Sequence, residues 1–164
     1  MQTDPHIKTA LFAGSFNPFT IGHLRIVERG LEVADRVIVA VGYDINKGKP
    51  ADIDGRLNQI KETVRPLNKP SEPKRVEVMS YTGLTAEFAR KAGADFLLRG
   101  IRSSLDFEYE RNLADVNLKV LGIDTVILFS EPEYGFISSS VVRELEANGF
   151  KTSSLLPKIT EEYK

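Results

Sequence analysis

Thr9–Asp35 reads TALFAGSFNPFTIGHLRIVERGLEVAD. The stretch opens as a buried strand and closes as an amphipathic helix, with Leu24, Val27, Leu31 and Ala34 at helical spacing. Between them lies GSFNPFTIGH (Gly14–His23), a glycine-bracketed turn that carries one of the two histidines of the chain. Strand, tight turn and helix in this order make the first part of a βαβ unit, so the fold depends on whether the pattern repeats.

It does. Lys8–Gly14, Arg36–Tyr43 (RVIVAVGY), Arg75–Ser80, Asp95–Gly100 and Asp124–Ser130 read as five strands. The second is continuous and β-branched, as parallel strands covered on both faces are. Helical patterns follow each strand: Ile21–Ala34, Gly55–Leu67 with Leu57, Ile60 and Val64 on one face, Gly83–Gly93, Ile101–Gly122 and Ile137–Gly149. The fourth is the longest; Ser103 and Asp106 resemble a capping box at its start, and Gly122 ends it. Leu155–Lys164 reads as a small terminal helix, and Asn68–Lys74 is a Pro-rich turn too short for a linker. Five βα units predict an α/β fold in one domain, 1–164, whose parallel sheet carries helices on both faces. Ligands of such sheets bind beyond the carboxyl ends of the strands, so each β-to-α loop is a candidate site.

The 164 residues suffice for one sizeable core. A net charge of −1 argues against a general nucleic-acid binder, though a few placed Lys and Arg still make a phosphate pocket. The absence of cysteine excludes disulfides, thiolate nucleophiles and cysteine-held metals. MQTDPHIK carries no basic segment followed by an apolar core, and no apolar run reaches membrane-spanning length. A cytoplasmic protein is expected.

Four loops carry chemistry. In the first, Gly14 and Gly22 remove side chains where a ligand could approach, Pro18 fixes the turn, and Thr20 can cap the following helix. His23 then stands in the first helical turn, where the positive dipole end disfavours imidazolium and favours a neutral, donating ring. The second is LRGIRSSLDFEYE (Leu98–Glu110), with Arg99 and Arg102 flanking Gly100 at a strand end. Their forks suit phosphate oxygens, unless both are used in a surface network with Asp106, Glu108 or Glu110. The third is YGFISSSVVRE (Tyr134–Glu144), whose three serines offer more hydroxyls than one cap needs. The fourth, DINKGKP (Asp44–Pro50), holds Lys47 and Lys49. No Ser–His–Asp signature is present, and direct nucleotidyl transfer needs none, because an ionised phosphate attacks without a general base.

These residues resemble the bacterial phosphopantetheine adenylyltransferases of the nucleotidylyltransferase superfamily, over nearly the whole length. Thr20-Ile21-Gly22-His23 matches the superfamily signature [T/H]-x-G-H, and Ile137-Ser138-Ser139-Ser140 its ISSS-type segment. Arg99 to Glu110 looks like the narrower R-G-[LI]-R…D-F-E-Y-E block. The resemblance implies a Rossmann-like nucleotidylyltransferase fold and a reaction of ATP, with Mg²⁺, and 4′-phosphopantetheine to give dephospho-coenzyme A and pyrophosphate. It implies that His23, Lys47 and Arg102 are catalytic, with His23 stabilising the α-phosphate. Ser15, Phe16, His23, Gly100, Ile101, Arg102, Glu110, Tyr134, Gly135, Phe136, Ile137, Ser138, Ser139 and Ser140 match the ATP site. Ser15, Lys47, Thr85 and Arg99 match the acceptor site. It also implies a homohexamer inhibited by coenzyme A.

The chain departs from that pattern at three places. Asn17 replaces the usual Asp of the turn, Gly48 separates two loop lysines, and Thr85 stands where a larger apolar residue is common. Two alternatives remain at this stage: a transferase for another phosphate acceptor, such as nicotinamide mononucleotide or a polyol phosphate, and a nucleotide-binding module that has lost the chemistry. The first is disfavoured by the Arg99–Glu110 block, the second by an intact TIGH.

Overall fold

A computed structural model describes residues 6–159. The start of MQTDPHIK and the end of the expected terminal helix lie outside the described residues. The strands are β1 (Thr9–Gly14), β2 (Arg36–Gly42), β3 (Val76–Tyr81), β4 (Phe96–Ile101) and β5 (Asp124–Phe129). They form one parallel five-stranded sheet in the order β3-β2-β1-β4-β5. The order reverses between β1 and β4. The crevice beyond their carboxyl ends is therefore the topological switch point, where ligands of open α/β sheets bind.

The helices are α1 (Ile21–Gly30), α2 (Ile53–Val64), α3 (Thr85–Lys91), α4 (Ser104–Leu121) and α5 (Ser139–Ala147). Alternate residues of the central strands feed two cores. Phe12, Val37, Val39, Val41 and Leu98 pack with Ile26 and Val27 of α1 and Ile53, Ile60 and Val64 of α2. Leu11, Ala13, Ile38, Ala40 and Leu97 pack on the other face with Ala86 and Ala89 of α3 and with Leu121 at the end of α4. Val37 to Val41 are all buried, which is why that run is apolar without alternation.

Two expected helices end differently. The pattern ending at Ala34 is helical only to Gly30; Leu31 caps it and Ala34 N–H bonds the Gly30 carbonyl in a turn. Leu31 and Ala34 pack on the core from that turn, so apolar spacing alone could not locate the boundary. Leu155–Ile159 is not helical. That segment runs as turn and coil past α1, and its Leu155 carbonyl accepts the Ile21 N–H at 3.0 Å.

Candidate active site

A cavity of 320 Å³ opens at the switch point. Gly14, Ser15 and Phe16 from β1 and its turn, Gly22 and His23 from α1, and Arg99 and Gly100 from β4 line it, with Ser138 and Ser139 opposite. A second cavity of 540 Å³ lies beside it toward β2 and β3, and the two share Ala13, Gly14, Ser15 and Arg99.

The turn explains why a histidine opens α1. Thr20 is the N-cap; its side-chain oxygen accepts the His23 N–H at 3.4 Å. In return, His23 Nδ1 accepts the Thr20 backbone N–H at 2.9 Å. This is a capping box in which histidine takes the place usually held by Glu or Gln. A backbone N–H can only donate, so Nδ1 is an acceptor and the ring proton of the neutral form sits on Nε2. Phe16, Phe19 and Phe12 surround the ring at centroid distances of 5.1, 5.4 and 6.2 Å. Burial in that aromatic seat, with the positive charges of Arg102 and Arg99, lowers the His23 pKa to about 4. At neutral pH His23 is a neutral donor through Nε2. The sequence supports a neutral ring, but T-x-x-H does not by itself reveal the reciprocal cap that fixes its tautomer.

The two glycines of the turn serve different ends. A Cβ at Gly14 would meet the Phe16 ring at 3.0 Å, so the missing side chain there clears an aromatic ring as well as the wall of both cavities. Gly22 lines the cavity, and a Cβ there would meet only the Thr20 cap oxygen, at 3.6 Å. Asn17 is exposed and does not line the cavity; its backbone carbonyl, rather than its amide, is engaged, by Arg143.

Both arginines of the β4 loop form the pairs that their surface alternative anticipated, yet both line the cavity. Arg99 forks onto Glu110 at 2.5 and 2.9 Å and gives a third N–H to the Ala13 carbonyl at 2.7 Å. Glu110 is buried, so its carboxylate is occupied by Arg99. Arg99 keeps two of its five N–H groups and reaches both cavities. Arg102 stands 3.4 Å from Asp106. The Asp106 carboxylate accepts the Arg102 backbone N–H at 3.0 Å, while Ser103 caps α4 through the Asp106 N–H. The expected capping box is therefore half formed.

The serines divide their work. Ser138 caps α5, Ser139 donates to the Pro18 carbonyl at 2.8 Å, and Ser140 accepts from Arg143. Ser138, Ser139, Ile137 and Tyr134 line the first cavity; Gly135, Phe136 and Ser140 do not. Ile101 is buried behind it. In the second cavity Thr85 is present and hydrogen-bonded to Tyr81 at 2.6 Å. Lys47 is not among its lining residues, which reach Asn46 in the same loop. Lys47 ends a 3₁₀ turn (Ile45–Lys47) closed by Gly48 at φ 78°, a backbone that glycine adopts freely. Lys49 is paired with Asp54 at 2.9 Å.

Residues not anticipated from sequence also line the first cavity, among them Asp106, Tyr109 and Ser130. Asp106, Tyr109 and Glu110 recur at helical spacing on α4, a signal present in the sequence. Among the described residues no three His, Asp or Glu side chains gather as a metal site. Both carboxylates of the cavity are taken by arginines, so the donor set does not fit a cation held by the protein. No described helix is long and apolar enough to cross a membrane.

A family model described as Cytidylyltransferase-like matches residues 11–145. A phosphopantetheine adenylyltransferase of Bacteroides fragilis is 42% identical over 93% of this chain and 97% of its own. One of Porphyromonas gingivalis is 46% identical over 91% and 94%. Among solved structures, a bifunctional NMN adenylyltransferase/ADP ribose pyrophosphatase of Francisella tularensis, complexed with AMP and a manganese ion, superposes with a TM-score of 0.60. It is 14% identical and is matched over 96% of this chain and 46% of that one, which speaks to the fold alone. The chain belongs to the cytidylyltransferase-like family and, within it, to the phosphopantetheine adenylyltransferases.

Proposed function

We propose that the chain transfers the adenylyl group of ATP to 4′-phosphopantetheine, giving dephospho-coenzyme A and pyrophosphate, by direct in-line displacement. The observation that carries this reading is the shared wall. Two cavities meet at Gly14, Ser15 and Arg99, so a nucleotide in one and a phosphorylated acceptor in the other would meet there.

In this mechanism an acceptor phosphate oxygen forms a bond to the α-phosphorus as the bond to the bridging oxygen of pyrophosphate breaks. The attacking phosphate is already ionised at neutral pH, so no base is required. Catalysis is then positioning and charge stabilisation. His23 donates through Nε2 to an α-phosphate oxygen, and as a neutral donor it needs no proton transfer. Arg102 and the free N–H groups of Arg99 face the phosphates from the β4 side. Ser15, Phe16, Gly100, Glu110, Tyr134, Ile137, Ser138 and Ser139 line the ATP side, with Ile101 buried behind them and Gly135, Phe136 and Ser140 outside the lining. Ser15, Thr85 and Arg99 line the acceptor side, and Lys47, which adjoins the lining residue Asn46 in the loop after β2, is the lysine assigned to the acceptor phosphate. Mg²⁺ enters as part of the nucleotide substrate, held by phosphate and water, as it often is. The remaining proposals are a single 1–164 domain, a cytoplasmic homohexamer and inhibition by coenzyme A.

Pyrophosphate release with ATP and each of several acceptors tests the reading. Release is expected with 4′-phosphopantetheine and not with nicotinamide mononucleotide. The opposite pattern would overturn the acceptor assignment, and ATP binding without turnover on any acceptor would overturn the enzyme.

A further inference from the structure

Side chains from two different helices hold three carbonyls of the Gly14–Thr20 turn. Arg143 takes Asn17 and Ser139 takes Pro18, both from α5. Arg56 Nη1, from α2, takes Ser15 at 2.7 Å. Arg56 lines neither cavity, yet its side chain is only 9% exposed, while its partner four residues earlier, Asp52, is 61% exposed. A guanidinium drawn in from a helix whose flank is solvated costs desolvation unless its N–H groups are used. Arg56 uses two of its five, one on Asp52 and one on the Ser15 carbonyl.

That carbonyl belongs to the peptide that joins Ser15 to Phe16. The unit is planar, and in a trans peptide the N–H points opposite to the C=O. Holding the Ser15 oxygen toward α2 therefore turns the Phe16 N–H to the far side. Among the described residues that N–H has no protein acceptor. Phe16 itself sits at φ 45°, an unusual conformation for a bulky aromatic residue, which persists only where its surroundings over-determine it. Its buried ring stands edge-on to His23.

We infer that Arg56 is a positioning residue: it fixes the Ser15–Phe16 peptide so that the Phe16 N–H faces the nucleotide phosphates and the Phe16 ring holds His23. The inference rests on the assignment of the first cavity to ATP. Calorimetry of ATP binding without acceptor separates the two. If the wild-type chain binds no ATP, the cavity assignment fails; if it binds, the variants decide on Arg56.

Arg56→Met is expected to weaken ATP binding about ten- to a hundredfold, the effect of one charge-assisted bond, while the dissociation constant for 4′-phosphopantetheine changes less than threefold. The amide resonance of Phe16 should shift strongly on ATP addition in the wild type and little in the variant. Asp52→Asn, which leaves the Ser15 contact in place, should stay within about threefold. Unchanged ATP affinity in Arg56→Met would overturn the inference, as would equal losses for both ligands. Should that variant fail to fold, Arg56→Lys carries the same test, because it keeps the charge and loses the fork. An ATP affinity at least threefold weaker supports the inference, and an unchanged one overturns it.

Discussion

The two ring nitrogens of His23 face different demands. Nδ1 closes the cap of α1, and Nε2 is left for the proposed contact with the α-phosphate, so one substitution removes both jobs and a second separates them. His23→Ala is expected to lower turnover about a hundred- to a thousandfold, the usual cost of one lost charge-stabilising donor. It should also cost about 1 kcal/mol of stability through the lost cap. Glutamine at the same position can accept the Thr20 N–H, as it does in ordinary capping boxes, so His23→Gln should regain most of the stability and little of the turnover. The pH dependence follows from the lowered pKa. Unfolded, His23 binds a proton below about pH 6.5, whereas the folded ring stays neutral to about pH 4. The unfolded state therefore takes up more protons as pH falls, and stability drops with it, by about 2 kcal/mol between pH 7 and pH 5. Urea denaturation at the two pH values should show that drop in the wild type and its absence in His23→Gln. A wild-type stability flat across the interval would mean that the ring titrates normally.

At the scale of the elements, the end of β4 meets the first turns of α1 at Gly100. A Cβ there would lie 2.8 Å from the Ile26 side chain, closer than real contacts allow. Gly100→Ala should destabilise the fold by about 1–3 kcal/mol through overpacking, and Ile26→Val should recover part of the loss in the double variant. Thermal melts of the three variants measure the coupling; simple additivity would contradict the contact. The elements themselves were legible where one physical signal decided them. The unbroken apolar run of β2 announced a doubly covered strand, and Gly122 announced the end of α4. The end of α1 was not legible, because Leu31 and Ala34 pack on the core equally well from a turn. In the site, TIGH and the serines were readable as local motifs. The Arg99–Glu110 pair was readable only as one of two alternatives, since pairing across 11 residues depends on where β4 and α4 come to lie. Arg56 was not legible, because its partner Ser15 lies 41 residues away on another element. The same limit hid Tyr81, which reaches the second cavity from the end of β3.

For the whole molecule, both cavities sit at one edge of the sheet, and α4 runs from that edge along the outside. Leu105, Tyr109, Leu113, Val116 and Val120 are exposed and fall at spacings of four, four, three and four residues, so they share one stripe of the helix. An apolar stripe of this length on an exposed helix face marks an interaction surface. The proposed homohexamer gives it a partner, a second copy of the chain. Because Tyr109 belongs to both the stripe and the first cavity, assembly would bring a neighbouring copy to the rim of the site. Light scattering on the eluting wild-type protein should then give six times the chain mass of 18.3 kDa. Val116→Glu places a charge in mid-stripe and away from both cavities, so it should yield smaller species whose ATP affinity stays within a few-fold of wild type. A wild-type mass of one chain would remove the hexamer. An unchanged mass in Val116→Glu would place the contacts between copies on another face, and the α4 stripe would then need a different occupant.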